Sequence, residues 1–405
     1  MGREAAPAAR GGSTEGGRGT SASVFLVAGE ASGDWAGAML AQALRKCRPD
    51  LRLAGIGGRR MAEAGVELLT DSSGWGAIGV FEALSKLPRV LGILRATRDF
   101  LAASPPSALV LVDCGAFNLP LARFARRRGL RTLYYFPPGS WSRRLRGDEL
   151  RELVDIIATP FSWSRDRLAG GRARVECVGH PVVEAARPRI SREEAYSRYR
   201  LDASKPVVAL APGSRQQELR YVLPVLAAAG ALISRQIAGV QFLVPAAPTL
   251  DPAQVRSRLA RAGVKATLLS GMDYDALQLA AAAAVCSGTA TLEFTCLRIP
   301  MVVVYRASRM TTLQYRLVRG LVGGHRLAAM PNIIAGREIV RELLGSAARP
   351  ETVAAEVIAL VTEADRRERM RNDLEEVVAA LGEPGASERT ARLVLELLDE
   401  EAAIA

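Results

Sequence analysis

The stretch Ser287-Gly288-Thr289-Ala290-Thr291-Leu292-Glu293 lies between the apolar runs 277–285 and 299–304. A glycine turn followed by hydroxyls that open a helix offers main-chain N–H groups and the positive end of a helix dipole to a phosphate. Glu293 follows about one helical turn later, where a carboxylate can accept hydrogen bonds from ribose hydroxyls. A nucleotide diphosphate is the first ligand this spacing implies. Two further glycine turns follow apolar runs: Gly29-Glu30-Ala31-Ser32-Gly33-Asp34 after 23–28, and Pro212-Gly213-Ser214-Arg215 after 207–211. The guanidinium of Arg215 can meet a phosphate bidentately. Neither turn fits G-x-G-x-x-G and no G-x-x-x-x-G-K-[ST] occurs, which argues against a dinucleotide fingerprint and a P-loop. A sugar nucleotide held between two domains is the leading ligand.

The elements that must position these turns alternate regularly. Short apolar runs are expected as strands at 23–28, 51–56, 108–112, 132–136, 156–158 and 175–178, with helical spacing between them, as at 36–44. The pattern restarts after the arginine-rich stretch 187–205, with strands expected at 207–211, 241–244, 266–269, 283–286 and 301–305. The fold class is therefore α/β, with two Rossmann-like, doubly wound parallel sheets facing across a cleft. The expected domains are 23–186 and 206–350, joined by a linker at 187–205, after a disordered tail at 1–22. Residues 351–405 read as charged, periodic helices, one of which can cross back onto the first domain.

Composition excludes several classes of function. The chain of 405 residues holds 49% apolar residues, but no apolar run nears the length of a bilayer span. The first 22 residues lack an apolar core and form neither signal peptide nor anchor. Cys47, Cys114, Cys177, Cys286 and Cys296 stand singly in apolar segments and read as buried thiols of a reducing cytoplasm. With His180 and His325 the only histidines, a His-rich metal site is excluded, and no carboxylate cluster suggests magnesium. The net charge of +12 is carried by arginine, without interleaved aromatic residues, so nucleic acid is not expected as a partner.

The segments AGEASGD (28–34), GIGGRRMAEAGVE (55–67), GAIGVFEALSKLPRVLGIL (76–94), VDCGAFN (112–118), GHP (179–181), PGSRQQE (212–218), SGTATLE (287–293), PMVVVYR (300–306) and MPNIIAGRE (330–338) occur in an order that resembles the lipid-A-disaccharide synthases, glycosyltransferase family 19. The resemblance implies a GT-B glycosyltransferase that works without metal or other cofactor. It implies UDP-2,3-diacylglucosamine as donor, 2,3-diacylglucosamine 1-phosphate as acceptor, a β-1,6 disaccharide and UDP as products, and inversion at the anomeric carbon. It also implies peripheral work at the cytoplasmic face of the inner membrane. The oligomeric state stays open, with a homodimer as one option.

Inversion in one displacement needs a base for the acceptor hydroxyl and charge stabilisation for the departing diphosphate. Asp113, matching the first acidic residue of the family's D-A-P-D-F-N segment, is expected as that base, the alternative being a turn cap. Glu30 and Asp34 are expected to orient the acceptor or share the basic role, unless Asp34 is only a helix cap. Substrate contacts are assigned to Gly29, Ser32, Gly33, Asn118, Gly213, Ser214, Arg215, Ser287, Gly288, Thr289, Thr291, Glu293 and Asn332. His180, before Pro181 at the domain boundary, is either a hinge residue or a polar contact near the nucleotide. Arg337 and Glu338 can form a structural ion pair.

Between 78 and 101, Ile78, Phe81, Leu84, Leu87, Leu91 and Leu94 recur at helical spacing beside Lys86, Arg89, Arg95 and Arg98. This suits a helix in an anionic interface, or equally one facing its own core, and Pro88 is expected to break it in two. Where the family reads S-P-S-V-W-A-W-R, residues 137–144 read PPGSWSRR, and Ala116 replaces the second acid of D-x-x-D. Both departures bear on the acceptor. A GT-B enzyme with another acylated sugar acceptor, a UDP-sugar 2-epimerase and a non-catalytic nucleotide-sugar-binding paralogue are the alternative readings.

Overall fold

The structure is a computed structural model that describes residues 22–72, 75, 80–138, 140, 149–247, 250–306 and 327–402. The first sheet contains β1 (Ser23–Ala28), β2 (Arg52–Gly57), β3 (Glu67–Asp71), β4 (Ala108–Val112), β5 (Thr132–Tyr135), β6 (Ile156–Thr159) and β7 (Arg174–Cys177), in the order β3-β2-β1-β4-β5-β6-β7. The second contains β8 (Val207–Ala211), β9 (Gln241–Ala246), β10 (Ala266–Ser270), β11 (Ala282–Cys286), β12 (Met301–Tyr305) and β13 (Arg341–Leu344), in the order β10-β9-β8-β11-β12-β13. Pairing is parallel throughout both sheets. Helices cover both faces, so central strands such as β4 and β8 are buried at every residue and read as continuous apolar runs.

β3 and β13 are absent from the sequence-based expectation for a physical reason. Each is an edge strand: in β3, ELLTD, Glu67, Leu69 and Asp71 face solvent, and β13, RELL, opens with two charged residues, so neither presents an apolar run.

In each sheet the chain order reverses at one place, between β1 and β4 and between β8 and β11. A crevice opens at such a switch point beyond the carboxyl ends of the strands. Four segments singled out by their residue types leave the sheets there: Glu30 after β1, Asp113 after β4, Arg215 after β8 and Ser287 after β11.

The division between the domains differs from the expected one. Val182, Val183 and Ala186 pack in the core of the second domain, so the chain crosses at Val178–Pro181 rather than after 186. The stretch 187–205 is not a bare linker. It holds the helix Arg192–Tyr199, capped by the Ser191 hydroxyl, which accepts from the Glu194 amide, and its Ala195 is buried in the second core.

The chain returns through Leu381–Ser387, and the helix Ala386–Ala402 packs on helix Ala31–Cys47, placing Leu393, Val394, Leu397 and Leu398 in a core of the first domain. The two crossings are fastened together. Arg389 donates to Val178 O at 2.7 and 2.9 Å, the His180 amide donates to Leu381 O at 2.9 Å, and the Glu184 carboxylate accepts from the Gly385 amide at 2.6 Å and the Ser387 hydroxyl at 2.6 Å.

Residues Val80–Ala103 form one helix with Pro88 inside it, rather than the two pieces expected. Burial of Leu94 and Leu101 in the first domain holds the helix through the position where proline removes one hydrogen bond. Ile78, the side chains of Phe81 and Leu84, and residues 141–144 lie outside the described residues. The cysteines are not uniformly buried: Cys286 and Cys296 are, Cys114 and Cys177 are partly so, and Cys47 is exposed on the last turn of its helix.

Candidate active site

A cavity of about 300 Å³ lies in the cleft between the sheets. Ser32, Gly33, Asp113 and His180 line it from the first domain, and Ser287, Gly288 and Thr289 from the second. Trp35, Phe136, Pro137, Phe161, Leu292 and Met330 supply its apolar wall. Pro137 belongs to the segment 137–144 expected to bear on the acceptor; the other five read from sequence as core, being large apolar residues beside strand ends.

Asp113 leaves β4 in the left-handed region, φ +50°, and Cys114 follows at +44°. Ser32 and the Cys114 main chain lie beside the Asp113 carboxyl and favour its charged form. Burial nevertheless pushes its pKa above the usual carboxylate range, with the charge of Glu30 adding to the effect. A carboxylate held in this way is a better proton acceptor near neutral pH than an exposed one. Phe136, on the same wall, also has positive φ, +56°. Of the five described non-glycine residues at positive φ, Asp113 and Phe136 line this cavity and Cys114 follows Asp113; strained backbone of this kind clusters at functional sites.

His180 is buried, with its ring edge-on to Phe136 at 5.0 Å between centroids. Its Nδ1 accepts the Val182 amide at 3.1 Å, so the neutral ring carries its proton on Nε2 and is a hydrogen-bond donor there. Burial lowers its pKa to about 3, which keeps it uncharged and unfit as a general base at neutral pH.

The second glycine turn is built differently from the expectation. The amides of Ser214 and Arg215 donate to Glu218 Oε2 at 2.7 and 3.1 Å, so this buried carboxylate fills the place foreseen for a phosphate. Gly213, at φ +102°, is required here because a Cβ would lie 2.2 Å from the same oxygen. Within PGSRQQE the signal for this role is Glu218 itself, a carboxylate three residues into the helix after such a turn, as in a capping box. Arg215 pairs with Glu218 at 3.1 Å and reaches across the cleft to Glu30 at 3.3 Å. Glu30 thus faces a cation of the opposite domain, which argues for a cross-cleft contact rather than a basic role.

Several residues expected at the substrate are engaged elsewhere. Asp34 accepts from the amides of Gly58, Arg60 and Met61 at 2.7, 3.1 and 3.1 Å; it caps the neighbouring helix Arg59–Glu63 instead of facing the cleft. Asn118 donates to Val112 O and Asp113 O at 3.1 and 2.9 Å, and Asn332 bonds the Ile339 and Val340 amides, each at under 3 Å, so both buried amides serve their own backbone. The Thr291 hydroxyl donates to Gly288 O at 2.8 Å and shapes the turn from within. Glu293 accepts from the Tyr274 hydroxyl at 2.6 Å; burial pushes its pKa above the usual carboxylate range, opposed by the Tyr274 bond and by the charge of Arg60 from the first domain. Gly29 packs against Cys114. Arg337 pairs with Asp373 and Glu376 rather than with Glu338. No group of three or more His, Cys, Asp or Glu side chains is placed to hold a metal ion among the described residues.

Two parallel α/β sheets with their switch points facing across a cleft define the GT-B class of sugar-nucleotide enzymes. Solved structures agree: UDP-GlcNAc 2-epimerase from Neisseria meningitidis bound to UDP-GlcNAc superposes with TM-score 0.62 at 12% identity, over 92% of this chain and all of that one. MurG of Acinetobacter baumannii gives 0.54 at 13%, over 93% and 99%. Sequence makes the assignment narrower. The family model described as lipid-A-disaccharide synthetase matches residues 24–397. Lipid-A-disaccharide synthases of Myxococcus xanthus and Syntrophus aciditrophicus are 40% and 38% identical, each over 93% of this chain and 97% of theirs. The chain belongs to the lipid-A-disaccharide synthase family.

Proposed function

We propose that this chain condenses UDP-2,3-diacylglucosamine with 2,3-diacylglucosamine 1-phosphate, with Asp113 as the general base. The observation that carries the reading is the placement of a half-buried, strained aspartate at the switch point of one sheet, across a cleft from the Ser287–Thr289 turn at the switch point of the other. The acceptor's 6-hydroxyl oxygen attacks the anomeric carbon while Asp113 takes its proton. The bond from that carbon to the diphosphate breaks on the opposite face, so an α-linked donor gives a β-linked disaccharide. UDP departs with both bonding electrons, and Arg215 with the Ser287–Thr289 turn offsets its charge. Arg215 exchanges Glu30 for the diphosphate when the donor enters. Incubating the protein with both substrates in the presence of a chelator is expected to give the disaccharide and UDP by mass spectrometry. Absence of product would remove the assignment.

The same reading includes a peripheral site at the cytoplasmic face of the inner membrane. On helix Val80–Ala103, Leu87 and Leu91 are 45% and 53% exposed, beside exposed Arg89 and Arg95. No helix among the described residues is long and apolar enough to cross a membrane. An apolar ridge flanked by arginines suits the surface of an anionic bilayer. Leu87→Ser with Leu91→Ser is expected to weaken binding to anionic vesicles by about tenfold or more, given about 1.5–3 kcal/mol for each leucine buried. The melting temperature should not move, because neither residue is in the core; unchanged vesicle binding would refute the site.

A further inference from the structure

The peptide that carries Asp113 is held in a conformation that its residues do not favour. Asp113 and Cys114 stand consecutively at φ +50° and +44°, where a Cβ crowds the backbone. Such a pair persists only when its surroundings over-determine it. Tyr134, on the adjacent strand β5, donates its hydroxyl to Asp113 O at 2.6 Å. Asn118, one turn into helix Gly115–Arg127, donates to the same oxygen at 2.9 Å and to Val112 O at 3.1 Å. From the other side Gly29 closes the space, since a Cβ there would lie 2.3 Å from Cys114 Sγ. Cys114 O accepts the amides of Phe117 and Asn118 at 3.1 and 2.9 Å, which anchors the far end of the turn.

Neither Tyr134 nor Asn118 lines the cleft, and both are fully buried. Their bonds to one carbonyl nevertheless decide where the Asp113 side chain points. Released from them, the peptide relaxes toward negative φ and swings the Cα–Cβ bond of Asp113 away from Ser32 and the cavity. We propose that Tyr134 and Asn118 are positioning residues for glycosyl transfer, holding the Asp113–Cys114 peptide left-handed so that the Asp113 carboxylate faces the acceptor. The proposal rests on the reading of Asp113 as the base.

Tyr134→Phe removes one hydroxyl and keeps the ring in the core. It is expected to lower kcat by about tenfold or more, because misplacement of a reacting group by about 1 Å can cost 10²-fold, while KM for the UDP-linked donor stays unchanged. Cys114→Gly takes φ +44° at little cost and is expected to restore most of the lost kcat in the Tyr134→Phe background. A purely structural hydroxyl would lower the melting temperature and leave kcat unchanged. That result, or kcat lost without rescue by Cys114→Gly, overturns the proposal. If Tyr134→Phe fails to fold, Asn118→Ser is read by the same kcat, KM and rescue measurements. Asp113→Asn separates the two readings: turnover retained in that variant removes Asp113 as base, whereas turnover lost there but unaltered in Tyr134→Phe removes only the positioning role.

Discussion

Asp113→Asn is expected to slow disaccharide formation by about 10²–10⁴-fold, the range of a positioned general base, while UDP binds as tightly as before. Asparagine has nearly the same shape and tolerates the positive φ of this position. What it lacks is a site for the acceptor's proton. Turnover followed by UDP release, with calorimetry for UDP affinity, separates the two quantities; unchanged turnover would exclude the base. Because burial raises the pKa of Asp113, the wild-type rate should rise through a pH above the ordinary carboxylate value, and the variant should lose that limb. Stability runs the opposite way. An acid with a raised folded pKa is best tolerated when protonated, so the wild type loses stability as pH climbs from about 3.9, the unfolded value, through the folded one. The variant's gain in melting temperature at neutral pH should therefore shrink in acid.

His180 predicts a second large effect, on acid stability. Its folded pKa is near 3, against about 6.5 in the unfolded chain, so folding requires the neutral ring. The stability it contributes is complete above the unfolded value and is lost as pH falls from about 6.5 toward 3, at about 1.4 kcal/mol per pH unit. His180→Asn keeps an acceptor for the Val182 amide and cannot be protonated. Denaturant midpoints for the two proteins at several pH values should converge or cross between neutrality and pH 4. A difference that stays constant with pH would show that His180 is not buried in solution as it is here.

The strands and turns at the switch points were legible because buried parallel strands are apolar throughout and end in glycine-bearing turns. Edge strands β3 and β13 were not, since charged residues in both leave no apolar run. The direction of polar side chains was the other gap. Asp34, Asn118 and Asn332 have the residue types of ligand contacts, yet each is engaged with backbone amides or carbonyls. Glu218 shows the converse, a carboxylate that occupies the glycine turn from within the protein. Tyr134 looked like any strand aromatic, and only the sheet register places its hydroxyl at Asp113 O. No local pattern announces the contacts of Arg389 and Glu184, which join segments about two hundred residues apart.

The helix Ala386–Ala402 covers helix Ala31–Cys47, and Lys46 meets Glu388 across 342 residues of chain. The amino-terminal lobe is consequently unfinished when its own sequence has emerged from the ribosome. Leu40 and Leu44 share a cluster with Val394 and Leu397, so a nascent lobe shows water an oily stripe until the remainder is translated. Chaperone demand and aggregation during synthesis should thus concentrate in this lobe, whereas the carboxyl-terminal lobe, assembled almost wholly from neighbouring segments, closes on itself.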